Sequence, residues 1–262
     1  MFFAAAHARP PEVTRDTRIE IFSRPRHSGN SQAFASPNLD KNRFWTLLGS
    51  LMARAKGIFT LTPTRLRSAS RWLAQRDAAL KRVLDEHGYP DMWARPPGFS
   101  STVHIILGQQ VSVASANAVF YRLKSKLGGT VTPERLLKLK ESEINEIGIT
   151  RQKIKYIRLL AEQVASGAFL FESLTSLPDE LIRSALTKHK GIGDWTADIY
   201  LSECLLRCDI LPKGDIGVHE AFRALKGLDS RPTHKELEAM TEHWRPWRSV
   251  GTRMLWKFYL DG

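Results

Sequence analysis

The stretch Lys190-Gly191-Ile192-Gly193-Asp194-Trp195-Thr196-Ala197 is the part of this chain best suited to meeting an anion. Two glycines flank one apolar residue where one helical pattern ends and another begins. Glycine reaches positive φ at little cost and leaves a backbone open to close approach. The first amides of the following helix lack intrahelical partners and carry the positive end of its dipole. Such a turn can offer those N–H groups to a phosphate. A tight helical hairpin without a ligand is the other reading, with Ile192 as the plug between two helices. A Cβ at Gly193 is expected to obstruct a phosphate, or to strain the turn if φ is positive there. Lys188, Lys190 and Lys213 flank this region and suit phosphate contacts or a solvated basic face. Asp215 stands where a helix N-cap belongs. Arg245 and Arg248, in a Trp-Arg-Pro-Trp-Arg-Ser run over 244–249, suit a phosphate or a neighbouring carboxylate.

These residues need a scaffold, and from Leu61 onward the pattern supplies helices almost without interruption. Thr62-Pro63 is a cap followed by proline at the first helical position, and Gly88 ends that helix near His87. Ser100 is read as the cap of a short helix over 102–107, and Ser112 as the cap of one reaching Leu127. Thr132-Pro133 opens another, and 141–146 forms a further turn or two. The clearest amphipathic segment is 151–166, where Ile154, Ile157, Leu160, Ala161 and Val164 recur at three and four residues. Helices are also expected over 178–188, 194–206, 215–225, 233–244 and 246–260. A short strand at 19–22 is the only one the pattern permits. The expected fold is all-α, with about ten helices in one domain over 61–262.

Composition narrows the function. The chain has 262 residues, with 39 Lys and Arg against 27 Asp and Glu, a formal charge of +12. Residues 61–262 keep 30 basic and 23 acidic side chains, so the surplus is not a property of one tail. A basic domain of this kind points to nucleic acid. The longest apolar runs are too short and interrupted to span a membrane. Two cysteines, Cys204 and Cys208, exclude a disulfide framework and a four-cysteine zinc or iron–sulfur site. They read as ordinary helix residues in a reducing compartment. Residues 1–60 lack a sustained apolar period and read as a largely irregular, flexible extension. A secretory signal is not apparent there, and Glu12, Asp16, Glu20 and Asp40 weigh against an organelle transit peptide. An upstream start codon is a third reading.

Four separated stretches, in order, resemble the helix-hairpin-helix DNA glycosylases, specifically the 3-methyladenine DNA glycosylase II (AlkA-like) branch. They are Leu107-Gly108-Gln109-Gln110-Val111-Ser112-Val113, the hairpin with Trp195-Thr196-Ala197, Leu211-Pro212-Lys213-Gly214-Asp215, and the 244–249 run. The resemblance covers roughly 65–262 and implies the family's fold, with an active-site cleft between two helical subdomains. It implies a base excision repair enzyme that binds duplex DNA, flips out an alkylated base of the 3-methyladenine or 7-methylguanine type, and hydrolyses the N-glycosidic bond.

Asp215, twenty residues after Trp195, matches the family's catalytic carboxylate, which stabilises the cationic sugar and orients water. Asp209 matches no motif position. Trp195 matches a base-pocket position, where an electron-rich face attracts a cationic purine. Family members that also cleave the strand carry lysine there, and an indole cannot form a Schiff base. The enzyme should therefore be monofunctional. Gln110 matches the side chain that enters the minor groove and fills the gap left by the flipped nucleotide. Gln109, Lys190, Gly191, Ile192, Gly193, Thr196 and Lys213 complete the implied DNA surface. Two exposed loop amides are the other reading of Gln109 and Gln110, and core residues the other reading of Trp195, Trp72, Trp93 and Trp256. The resemblance also implies a monovalent cation, Na+ or K+, at the carbonyls of Gly191 and Gly193. No iron–sulfur cluster or other cofactor is expected. A monomer is expected, in the cytoplasm with the nucleoid if the chain is bacterial. A glycosylase for deaminated or oxidised purines, and a non-catalytic DNA-binding hairpin, are the alternatives.

Overall fold

Thr62 accepts a hydrogen bond from the Arg65 amide, and Pro63 starts α1, Pro63–Ala74. The computed structural model describes residues 60–261. The expectations for residues 1–59, the strand at 19–22 included, lie outside the described residues. The described residues form twelve α-helices and no sheet. One antiparallel bridge joins Thr60 to Arg207.

The helix expected to reach His87 is two helices. Asp77 accepts from the amides of Ala79 and Leu80 and begins α2, Ala78–His87. An aspartate that satisfies two orphan amides is enough to restart the chain in a new direction. α3 spans Phe99–Gly108, and its cap is Gly98 rather than Ser100. Gly98 has φ 123°, and its amide donates to the Tyr200 hydroxyl (3.1 Å). α4 (Val113–Lys126), α5 (Pro133–Lys138), α6 (Glu141–Glu146) and α7 (Arg151–Ala165) follow as expected, the first, second and fourth capped by Ser112, Thr132 and Thr150. A 3₁₀ turn, Phe171–Leu174, leads to α8, Asp179–Leu186. The single helix expected over 194–206 is α9, Asp194–Ile199, continued by a π-helical turn, Tyr200–Cys204. α10 (Ile216–Lys226) begins at Asp215, and α11 (His234–Met240) is shorter than expected, ending before a separate 3₁₀ turn, Glu242–Trp244. α12 (Arg248–Asp261) begins two residues later than Pro246.

Two apolar cores result. The first is filled by α3 to α9, with Val103, Ile106, Leu123, Leu136, Ile157 and Leu201 at its centre. The second combines both ends of the described chain: Leu66, Leu73 and Leu80 from α1 and α2, and Phe222, Trp244, Met254 and Leu255 from the C-terminal third. Trp256 packs against both. Each helix alone is too short to be stable in water, so burying these faces is what holds them. The chain leaves the second core after α2, builds the first, and returns through residues 208–215. The candidate site lies where it returns.

Candidate active site

Asp215 sits at that junction and is 8% exposed. It caps α10: its Oδ1 accepts the Val218 amide at 2.9 Å. Two indoles also donate to it, Trp195 from α9 to Oδ2 (2.8 Å) and Trp256 from α12 to Oδ1 (3.2 Å). The carboxylate is thus gripped from both cores. Charge-assisted bonds of this kind fix orientation more firmly than neutral ones, and Oδ2, which accepts the Trp195 bond, keeps a second lone pair. The cap and the catalytic candidate are one residue. The Trp93 ring meets Trp256 edge-on, with centroids 5.5 Å apart. Of the tryptophans left open by the sequence, Trp256 belongs to the site and Trp93 borders it.

The loop bearing Asp215 is tied to α9. The Lys213 amide donates to Asp198 Oδ2 (3.0 Å), and Arg183 of α8 donates twice to Asp198 Oδ1. Lys213 Nζ reaches Asp194 (2.7 Å), and that bond holds the ammonium above its usual range. Lys213 is exposed, yet its charge already has a partner.

In the hairpin between α8 and α9, Gly191 has φ 90°, and a Cβ there would stand 2.2 Å from Tyr156 Cγ. Gly193 differs. Its φ is −97°, and nothing lies within 4 Å of an added Cβ, so the strain expected at Gly193 belongs to Gly191. Gly193 and Lys190 are exposed. The Ile192 side chain is buried in the first core and acts as the plug, which leaves only its backbone for a DNA contact. Gln109 and Thr196 are likewise turned inward. Gln109 Nε2 donates to the Gly191 carbonyl (2.8 Å) and to Thr196 Oγ1 (2.9 Å), bracing the hairpin. The Gly191 and Gly193 carbonyls each accept one hydrogen bond, the latter from Ala197, which leaves each a second lone pair. Gln110 is exposed, with φ 58°. Lys153 Nζ holds the backbone beneath it through the carbonyls of Leu107 (2.7 Å) and Gln109 (2.8 Å). The neighbouring Val111 and Val113 are exposed as well.

Arg245 and Arg248 hold a carboxylate: both donate to Asp209, which is thereby a structural partner. Sequence reasoning missed Glu203, Arg95 and Arg253, which also lie at the junction. Burial pushes the Glu203 carboxyl above its usual range, opposed by the guanidiniums of Arg95 and Arg253. Burial brings Arg253 down to about 10. The sequence signal was weak: Glu203 is the second of two acids in the largely apolar run after Trp195, and Arg253 an arginine inside the C-terminal helix.

The family described as HhH-GPD superfamily base excision DNA repair protein matches residues 103–246, just over half of the chain. A DNA-3-methyladenine glycosylase of Bacillus subtilis is 27% identical over 181 residues, 65% of this chain and 58% of that protein. The chain therefore matches less than two thirds of that relative's length. DNA-3-methyladenine glycosylase 1 of Schizosaccharomyces pombe is 30% identical over 162 residues, 61% of this chain and 71% of that one. A solved structure of a 3-methyladenine DNA glycosylase from the same yeast, in complex with abasic DNA, superposes with a TM-score of 0.68 at 28% identity. The superposition covers 72% of this chain and 95% of the yeast chain.

Proposed function

The chain belongs to the HhH-GPD superfamily of base excision DNA repair proteins, and from that premise we propose that it is a monofunctional glycosylase for alkylated bases, of the 3-methyladenine DNA glycosylase II type. The observation that carries this reading is Asp215, a buried carboxylate held by one amide and two indole N–H groups at the junction of the two cores. A hairpin that only bound phosphate would gain nothing from a fixed anion near polyanionic DNA.

The chemistry follows from charge. An N3- or N7-alkylated purine is already cationic and leaves readily, and the departing base leaves positive charge on the sugar. A fixed carboxylate stabilises that charge without reorganising. Its second Oδ2 lone pair orients water for attack on the sugar carbon. The faces of Trp195 and Trp256 attract the cationic base, by roughly 0.5–2 kcal/mol per ring. Trp195 has no amine to attack the sugar, so an abasic site is left with the strand intact. Gln110, exposed beside Val111 and Val113, fills the gap opened by flipping. The exposed Lys190 and the amide end of the hairpin meet phosphate, with Lys213 exchanging Asp194 for a phosphate oxygen. A monovalent cation at the Gly191 and Gly193 carbonyls belongs to the same proposal, as does action by a monomer on duplex DNA.

The test is incubation with alkylated duplex DNA, with mass spectrometry of the released bases and gel analysis before and after alkali. Free alkylpurine, with breaks only after alkali, is expected. Breaks without alkali would overturn the monofunctional assignment. Binding without base release would leave a DNA-binding protein.

A further inference from the structure

Asp215 shares the junction with three other charged side chains. Glu203 lies in the π-helical turn that continues α9, with its side chain 10% exposed. It accepts from Arg95 Nε, and its backbone carbonyl accepts the Arg95 amide (2.9 Å). Arg95 Nη1 also contacts His104 Nδ1 (2.7 Å), and His104 Nε2 contacts Asn117 Oδ1 (2.9 Å). A ring nitrogen facing a guanidinium accepts, so His104 is neutral and contributes no charge. Arg253 is fully buried. All its bonds go to neutral oxygens: Met92 O, Ser202 Oγ, Ser202 O and Ser249 O.

Glu203 feels the charges of Arg95, Arg253 and Asp215 alike, and along the chain both arginines stand near residues that hold or border Asp215. Arg253 is one helical turn before Trp256 on α12. Arg95 is two residues after Trp93, which packs on Trp256. Without Glu203, two positive charges would face Asp215's single negative one. With it, the four cancel. A site that receives a cationic base and builds a cationic sugar works poorly under a net positive charge.

We propose that Glu203 is a specificity-determining residue: by neutralising Arg95, it sets the preference of the site for cationic over neutral ligands. This rests on the glycosylase reading and adds a second carboxylate, one that need not touch the substrate.

Binding of matched duplexes tests it. One carries a neutral tetrahydrofuran abasic analogue, and the other its cationic pyrrolidine counterpart at the same position. The ratio of the two Kd values reports the charge at the site and is insensitive to a general loss of DNA affinity. Wild type should favour the cation. Glu203→Gln should lower the ratio about tenfold, the effect of a unit charge acting over ~10 Å at an effective dielectric near 20. Arg95→Gln added to Glu203→Gln should restore it, because the pair is then removed together. A merely structural loss would not be repaired by a second deletion. Arg95→Gln alone removes a positive charge and must not lower the ratio, which keeps the idea testable if Glu203→Gln folds poorly. An unchanged ratio in Glu203→Gln, a double variant no better than the single one, or a fall in Arg95→Gln would overturn the proposal. The glycosylase reading fails separately, if wild type prefers neither analogue to undamaged duplex and releases no base.

Discussion

An asparagine at position 215 would keep the cap and lose the charge. Its side-chain oxygen can still accept from Val218, while its NH₂ would face the Trp195 N–H, donor against donor. Asp215→Asn should fold and bind DNA, with base release lowered at least ~10², the scale of losing a preorganised electrostatic stabiliser. Near-normal single-turnover release would move the role to another residue. The two indoles are not equivalent. Trp195 donates to Oδ2 at 2.8 Å, whereas Trp256 shares Oδ1 with an amide at 3.2 Å. Trp195→Phe should therefore slow release at least about tenfold, on the scale of one hydrogen bond to a charged group, and Trp256→Phe should slow it less; equal losses would show that the rings act through stacking alone. Asp215 and Trp195 were legible because each sits in a spaced motif. Trp256 was not, since an aromatic in an apolar helix reads equally as core, and only the crossing of α12 over the junction aims its N–H at Asp215.

At the scale of the element, the two hairpin glycines differ in their surroundings, and the proposed function gives them different roles. Gly191 is structural: Gly191→Ala would force positive φ on a side chain and drive its Cβ into Tyr156 of α7. A loss of at least about 2 kcal/mol is expected, readable in urea unfolding. Gly193→Ala should leave the unfolding curve in place and weaken affinity for duplex of any sequence, because phosphates carry no sequence information. Its log–log salt dependence should become shallower by about 0.9 for each phosphate that the hairpin no longer neutralises. Unchanged affinity and slope would reduce the hairpin to a structural turn. The hairpin's place in the sequence was plain from its glycines and flanking helical periods. Which glycine bears the strain was not, because that depends on Tyr156, thirty-five residues upstream. The restart at Asp77 and the π-helical turn after Ile199 escaped for a related reason. Both interrupt a continuous apolar period, and periodicity alone cannot see a break that side-chain capping or packing imposes.

At the scale of the molecule, the second core is closed by contacts between the two ends of the described chain, and Asp77 is the polar knot in that closure. Its carboxylate caps α2 and accepts from Lys226 of α10 (2.7 and 2.9 Å), from the Trp244 indole (2.9 Å) and from His243 (3.2 Å). None of this could be read from residues so far apart in the chain, although the all-α class was legible from the helical periods. The knot gives the fold a defined acid sensitivity. Burial raises the Asp77 carboxyl, while the Lys226 ammonium, the Trp244 indole and the Ala79 amide outweigh that and bring it from an ordinary 3.8 to about 2. A carboxyl depressed in the folded state stabilises it above the unfolded value, and that contribution is lost as pH falls through the folded one. Wild type should thus be more stable than Asp77→Asn by about 2 kcal/mol at neutral pH. The gap should hold down to about pH 5, close between about pH 4 and 2, and vanish below that. Thermal melts of both proteins across this range provide the measurement. Because the difference between the two proteins cancels the titration of every other carboxylate, a gap that persists below about pH 2 would show that Asp77 contributes through its shape, and that the closure of the second core does not depend on its charge.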